Sequence, residues 1–314
     1  MTSSILSQLF QTLLVVLLAP LLLGWVNQCR AWLQNRSGAG VLQPYRVLHK
    51  LLAKDAVLAE NASSLFRTAP YVQFASMALV ASIIPTVATD LSFATAADVI
   101  ALVGLFALAR LFAALAAMDI GTAFGSMGAR REMLVAGLAE PALLMILFTP
   151  ALIVQSTSLS TIVETLAHQH FVLYPSLAFA AVAFVMVALA ENARIPIDNP
   201  STHLELTMIH EAMVLEYSAR HLALIEWTSA IKLTNYSTIG IALFVPWGIA
   251  SVDDSNALPL ALMLLVLKLI LGGAGLALLE TLSAKLRIFR APEYLGTAFL
   301  LAVLGMLTLL LVER

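Results

Sequence analysis

DVIALVGLFALARLFAALAAM, residues 98–118, decides the fold of this chain. Between Asp98 and Met118 the only charge is Arg110. About 20 helical residues at 1.5 Å each reach across a hydrocarbon core about 30 Å thick. Working outward, comparable windows occur at 5–28, 68–89, 133–155, 171–190, 219–249, 257–279 and 294–312. The whole composition agrees: 61% of residues are hydrophobic and 11% charged, where a soluble domain carries about 25% charged residues. The mean hydropathy is +0.93. The expected fold is therefore an all-α integral membrane protein of about eight transmembrane helices, a single polytopic domain over residues 1–314 whose solvent is the lipid bilayer. The window at 219–249 is the least regular, because it holds Glu226 and Lys232 and because Pro246 is predicted to kink its outer end.

Several classes are excluded. A net charge of -2 with no gathered basic face leaves nucleic acid without a surface. Cys29 is the only cysteine, so the chain has no internal disulfide and no multi-thiolate or iron–sulfur site. No Lys or Arg precedes Ile5, so the first window lacks the charged start of a secretory signal and reads as a retained helix.

Orientation follows from the loops. With the N-terminus outside, the cytoplasmic connections hold Arg30, Arg36, Arg46, Lys50, Lys54, Arg67, Arg130, Arg131, Arg194, Arg220, Lys285, Arg287 and Arg290. The outer side holds Arg314 beside Asp90, Asp98, Glu164, Asp253 and Asp254. This asymmetry predicts that both termini face outward. Val47, Leu48, Leu51, Leu52 and Leu58 alternate with Arg46, Lys50 and Lys54 at helical spacing, which predicts an amphipathic helix at the cytoplasmic interface.

An ionisable group inside a span costs about 2.5–3.5 kcal/mol, so each needs a partner, water or a bundle interior. Arg110, Glu140, Glu226, Lys232 and Lys268 stand out. Glu140 precedes Pro141, whose missing amide hydrogen bond makes room for water, and it suits a proton relay or a structural ion pair. Lys232 and Lys268 suit the same scheme, with Lys268 alternatively a static partner of Glu140 or Glu226. Arg110 keeps its proton and is cast as a fixed countercharge. The connection after the fifth window, ENARIPIDNPSTHLELTMIHEAMVLEYSARHLALIEWTSAIK, interleaves Glu191, Asp198, Glu205, Glu211, Glu216 and Glu226 with apolar residues. Its apolar members want burial and draw the acids into a low-dielectric setting suited to passing protons; an acidic docking surface for a soluble partner is compatible with this. His203, Glu205, His210 and Glu211 match no metal-ligand spacing. Gly121, Gly125 and Gly128 lack the strand and the GK[ST] of a phosphate loop and are predicted to form a flexible cytoplasmic turn. Gly272, Gly273 and Gly275 are predicted to permit close helix packing.

At these residues the chain resembles the family of formate hydrogenlyase subunit 4 and hydrogenase-4 component C, related to the H subunit of complex I. The resemblance shows in NRSGAGVLQPYRVLHKLL at 35–52, MDIGTAFGSMGARREM and the following AEP at 118–141, ENARIPIDNP at 191–200 and LEYSARHLALIEW at 215–227. It implies a membrane-arm heel subunit in a bacterial cytoplasmic membrane, docked to hydrogenase-like large and small subunits, an iron–sulfur subunit and antiporter-like membrane subunits. It further implies that a NiFe centre and iron–sulfur clusters belong to those partners and that this chain alone is not catalytic. The family's acids fall on Glu140, Glu191, Asp198, Glu205 and Glu216. Ser201 and His203 stand where the complex I version has further acids, Ser37 and Ala39 replace an Arg and a Pro, and Glu226 stands where formate hydrogenlyase relatives tend to have a lysine. A quinone pocket beneath the peripheral arm and a passive membrane anchor are the alternative functions.

Overall fold

The computed structural model describes residues 2–89, 98–168, 174–198, 208–249 and 258–313. These residues are helical without a strand, save an isolated bridge between Asp98 and Ser158. The helices are α1 (Thr2–Leu33), α2 (Gln43–Leu52), α3 (Ser64–Ile83), α4 (Val99–Asp119), α5 (Ala123–Val154), α6 (Leu159–His168), α7 (Pro175–Glu191), α8 (His210–Val214), α9 (Ala219–Phe244), α10 (Leu258–Leu282) and α11 (Ala291–Val312). Helix starts carry their own signals. The side chains of Ser63, Asp98 and Thr122 accept from Leu65 N, Ile100 N and Gly125 N. Prolines occupy the first turns of α2, α7 and α11, where their missing N–H costs nothing.

Each apolar window falls on a long helix: α1, α3, α4, α5, α7, α9, α10 or α11. Five of these, α1, α4, α5, α10 and α11, are long and apolar enough to cross a membrane. The α7 helix is as apolar but shorter. In α9 the apolar pattern is diluted by Thr228, Thr234, Asn235 and Thr238, all buried. Thr228 and Thr234 hydroxyls donate to carbonyls one turn back, and Asn235 Nδ2 donates to Met77 O of α3 at 2.9 Å, so these donors are satisfied inside the bundle, while Asn235 Oδ1 is buried without a hydrogen bond. On the outside, Leu6, Leu9, Leu13 and Leu17 of α1 and Leu300, Leu304, Leu307 and Leu311 of α11 form exposed apolar stripes that suit lipid. The α9 helix contacts α1, α2, α3, α7 and α10; α10 packs on α1, and α11 packs on α5 and α7.

Two prolines explain two anchors. A proline leaves the carbonyl four residues earlier without its intrahelical donor, and in hydrocarbon that carbonyl needs another. Pro20 frees Val16 O, which accepts from Trp227 Nε1 at 2.9 Å, while Tyr45 Oη donates to the adjacent Leu17 O. Pro70 frees Phe66 O, which accepts from Tyr217 Oη at 3.1 Å, and the two rings stack at 3.9 Å. Burial and then the Asp119 carboxylate push the Tyr217 pKa up, so its donor proton stays in place. Removing that donor by Tyr217→Phe is expected to cost about 1–3 kcal/mol, read as a lower melting temperature of the solubilised protein; an unchanged value contradicts the assignment.

Three sequence expectations need revision. The α5 helix starts ten residues before its window, so Gly125 and Gly128 are helical, and only Gly121, at φ +74, lies in a turn. The reason is packing: a Cβ on Gly128 would lie 2.9 Å from Ile209 O and 3.1 Å from Ala212 Cβ, which lets α8 sit directly on α5. The amphipathic helix ends at Leu52, and Leu58 packs instead on the Phe66 and Tyr217 cluster. Of the three α10 glycines only Gly273 has close neighbours, with Trp25 2.9 Å from an added Cβ; Gly272 and Gly275 face open space. Ser201, His203, Glu205, His170, Asp90, Asp253 and Asp254 lie outside the described residues.

Candidate functional site

Arg110, midway along α4 and 5% exposed, is the centre of a charge cluster. Its Nη2 lies 2.5 Å from Glu191 Oε2 at the end of α7. Its Nη1 lies 3.4 Å from Glu140 Oε1 and its Nε 3.9 Å from Glu132 Oε1, both on α5. Lys232 Nζ on α9 lies 3.2 Å from the same Glu191 oxygen. One turn beyond Lys232, the fully buried Tyr236 packs between Phe106 and Phe184 with centroids at 4.7 and 6.2 Å, walling the cluster with aromatic rings. The guanidinium geometry suits several carboxylates at once, as an ammonium does not.

The cluster holds two cations and three carboxylates, so one negative charge is in excess. Water-sized space flanks the cluster. A cavity of about 60 Å³ is lined by Arg110, Glu132, Glu191, His210 and Lys232, space for a few water molecules. On the other side of Arg110, a cleft of about 430 Å³ between α4 and α5 is lined by Arg110 and Glu140, and the Glu140 side chain is 33% exposed there. Arg110 Nε and Nη1 are buried without a hydrogen bond, so the guanidinium has donors to spare among its three acids.

A second network fixes the turn after α7. Glu280 of α10, 3% exposed, lies 2.9 Å from Arg194 and 3.5 Å from Arg30 of α1. Leu286 N donates to Pro196 O at 2.8 Å, and Lys285 Nζ lies 3.9 Å from Asp198 Oδ1. Asp198 Oδ2 also accepts from Ile209 N and His210 N at 3.2 and 3.3 Å. Asp198 thus clamps the two ends of the segment holding Glu205, and its oxygens are engaged structurally. Ala193 at φ +49 and Ala219 at φ +48 hold left-handed backbone next to Glu191 and at the start of α9, a conformation costing about 1–2 kcal/mol for a non-glycine residue.

The other candidate residues stand apart from Arg110. Glu211 lies on α8 and Glu216 is exposed in the connection to α9. Glu226 borders a cavity of about 430 Å³ between α1, α2 and α9 that also reaches Arg30, Arg36 and Leu48. Lys268 donates to Val245 O at 2.7 Å and to Trp247 O, placing its charge at the carbonyl end of α9 and away from Glu140 and Glu226. Among the described residues no group of three His, Cys, Asp or Glu could hold a metal.

Glu132 and Glu280 were not singled out by the sequence reading. Glu132 hides beside Arg130 and Arg131 in a stretch read as a turn. Once α5 runs through it, Glu132 and Glu140, eight residues apart, share the face toward α4. Glu280 shows no signal of its own, because its partners come from α1 and from the turn after α7.

A family profile described as NADH dehydrogenase matches residues 7–312. Formate hydrogenlyase subunit 4 of Escherichia coli (strain K12) is 33% identical over 307 residues, 98% of this chain and 99% of the relative. Hydrogenase-4 component C of the same organism is 33% identical over 298 residues, covering 95% and 93%. A chain of the membrane-bound sulfane sulfur reductase, an archaeal respiratory membrane complex, has the same fold, with a TM-score of 0.82 over 96% of this chain and 99% of that one at 18% identity.

Proposed function

The chain belongs to the NADH dehydrogenase family, with formate hydrogenlyase subunit 4 and hydrogenase-4 component C among its relatives, and from that premise we propose that it is the membrane-arm heel subunit of a hydrogenase-type respiratory complex. In this role it converts redox events in a peripheral arm into proton movement through the Arg110 cluster. The observation that carries the reading is the cluster's charge: two cations against three carboxylates, with a water-sized cavity on one side and the Glu140 cleft on the other.

The working steps follow from the distances. Glu191 is held ionised between Arg110 and Lys232. Arg110 cannot lose its proton, but it can transfer its closest contact from Glu191 to Glu140 or Glu132. When it does, Glu191 loses a neighbouring cation, which favours proton uptake at its carboxylate. In this reading, docking of a peripheral arm shifts α8 or the 192–198 turn and so biases these two arrangements. The exposed Glu216 and Leu215 suit that docking surface better than a buried relay.

A second reading rests on the cavity between α1, α2 and α9. It lies against the amphipathic α2, and Leu23, Pro20 and Leu48 supply apolar wall while Gln28, Gln43 and Arg36 supply donors, a lining that fits a quinone headgroup with its two carbonyls. One experiment addresses both readings. The tagged chain extracted from bacterial inner membranes is expected to bring hydrogenase-like large and small subunits, an iron–sulfur subunit and antiporter-like subunits. Recovery without any redox partner contradicts the proposal, and redox activity blocked by quinone analogues favours the second reading.

A further inference from the structure

A cleft of about 570 Å³ opens between α7, α9 and α10. Its walls run along residues 181–189 of α7, 233–245 of α9 and 269–279 of α10, and are almost wholly apolar. The Ser237 hydroxyl in its wall is engaged by Leu233 O at 2.9 Å. The α9 stretch rises about 18 Å at 1.5 Å per residue, a little over half of a hydrocarbon core about 30 Å thick. The cleft therefore has the depth of one bilayer leaflet. Its volume lies within the roughly 300–1,000 Å³ of pockets that bury a small ligand.

The ends differ in character. Asn192 and Arg194 line one end. Arg194 shares Glu280 with Arg30, and the bond from Leu286 N to Pro196 O brings the connection after α10 alongside. That connection carries Lys285 and the exposed Arg287 and Arg290. Arg30, Arg194 and Lys285 there pair with Glu280 or Asp198, and the chain just beyond Lys285 adds the exposed Arg287 and Arg290 ahead of Glu293. Basic groups at the interface above a pocket between membrane helices attract anionic headgroups.

We propose that this cleft is a specific site for an anionic phospholipid of the bilayer, with one acyl chain lying along α9 and the phosphate at the Arg194 end. Gly272 and Gly275 keep it open: both line the cleft, and a Cβ on either meets nothing within 4 Å. Leucine at these positions has free space at its Cβ, extends into the acyl path and favours the helix.

The assembled complex, equilibrated with equal phosphatidylglycerol and phosphatidylethanolamine and then washed in detergent, is analysed for retained lipid by mass spectrometry. The wild type is expected to keep about one phosphatidylglycerol per chain, in preference to phosphatidylethanolamine. The pair Gly272→Leu and Gly275→Leu is expected to lose it at an unchanged melting temperature. Arg287→Gln and Arg290→Gln, at exposed positions before α11, are expected to weaken retention about fivefold each. Equal retention of the two lipids overturns the proposal. So does full retention in the double leucine variant, or disulfide capture of a neighbouring protein's helix by Leu278→Cys, which would show that protein fills the cleft.

Discussion

Arg110→Met is expected to reduce the folded, membrane-extracted chain about a hundredfold. The guanidinium is buried against Glu191, Glu140 and Glu132, and its loss leaves three carboxylates with only Lys232 nearby. Breaking a buried pair by removing one partner costs about 3–5 kcal/mol, because the remaining charge keeps its desolvation penalty. Adding Glu191→Met to Arg110→Met is expected to recover only part of the loss, since it removes the most buried stranded carboxylate but leaves Glu132, Glu140 and Lys232 without their partners. Arg110→Lys should fall between, because an ammonium cannot face three carboxylates on two helices at once. The check is the yield and melting temperature of the solubilised chain. Wild-type stability in the single Met variant would mean that the three acids are solvated and the cluster is no buried network.

The second large effect concerns coupling rather than folding. Glu191→Gln balances the cluster at two cations and two carboxylates, so the variant should assemble. It also removes the carboxylate shared by Arg110 and Lys232, which the proposed role needs. Redox-driven proton movement is expected to fall by about 100-fold, the lower end of what a positioned proton-transfer group contributes. Redox turnover in the peripheral arm continues.

Much of this was legible in the sequence. The apolar windows located every long helix, since period and length alone identify segments that must avoid water. Arg110, Glu140 and Lys232 drew notice because a charge inside a span needs an explanation, and Glu191 as the first acid of the connection after the fifth window. Which charge meets which was not legible, because Arg110–Glu191 and Lys232–Glu191 join helices distant in sequence. Glu132 was obscured by a wrong helix start, and that start depended on α8 needing a glycine beneath it. The prolines at 20 and 70 were not singled out in the sequence, and nothing local to them names Trp227 or Tyr217 as donors to the carbonyls they free. Lys268 shows the opposite failure: a conspicuous lysine in an apolar window whose partners are backbone carbonyls at the broken end of α9.

The measurement that tests the central claim most directly is proton uptake per redox turnover in sealed inner-membrane vesicles, comparing wild type with Glu191→Gln at matched assembly. The Arg110 cluster predicts that the variant turns over without moving protons, whereas full proton movement by Glu191→Gln would contradict it and leave the chain a passive anchor or a pathway elsewhere.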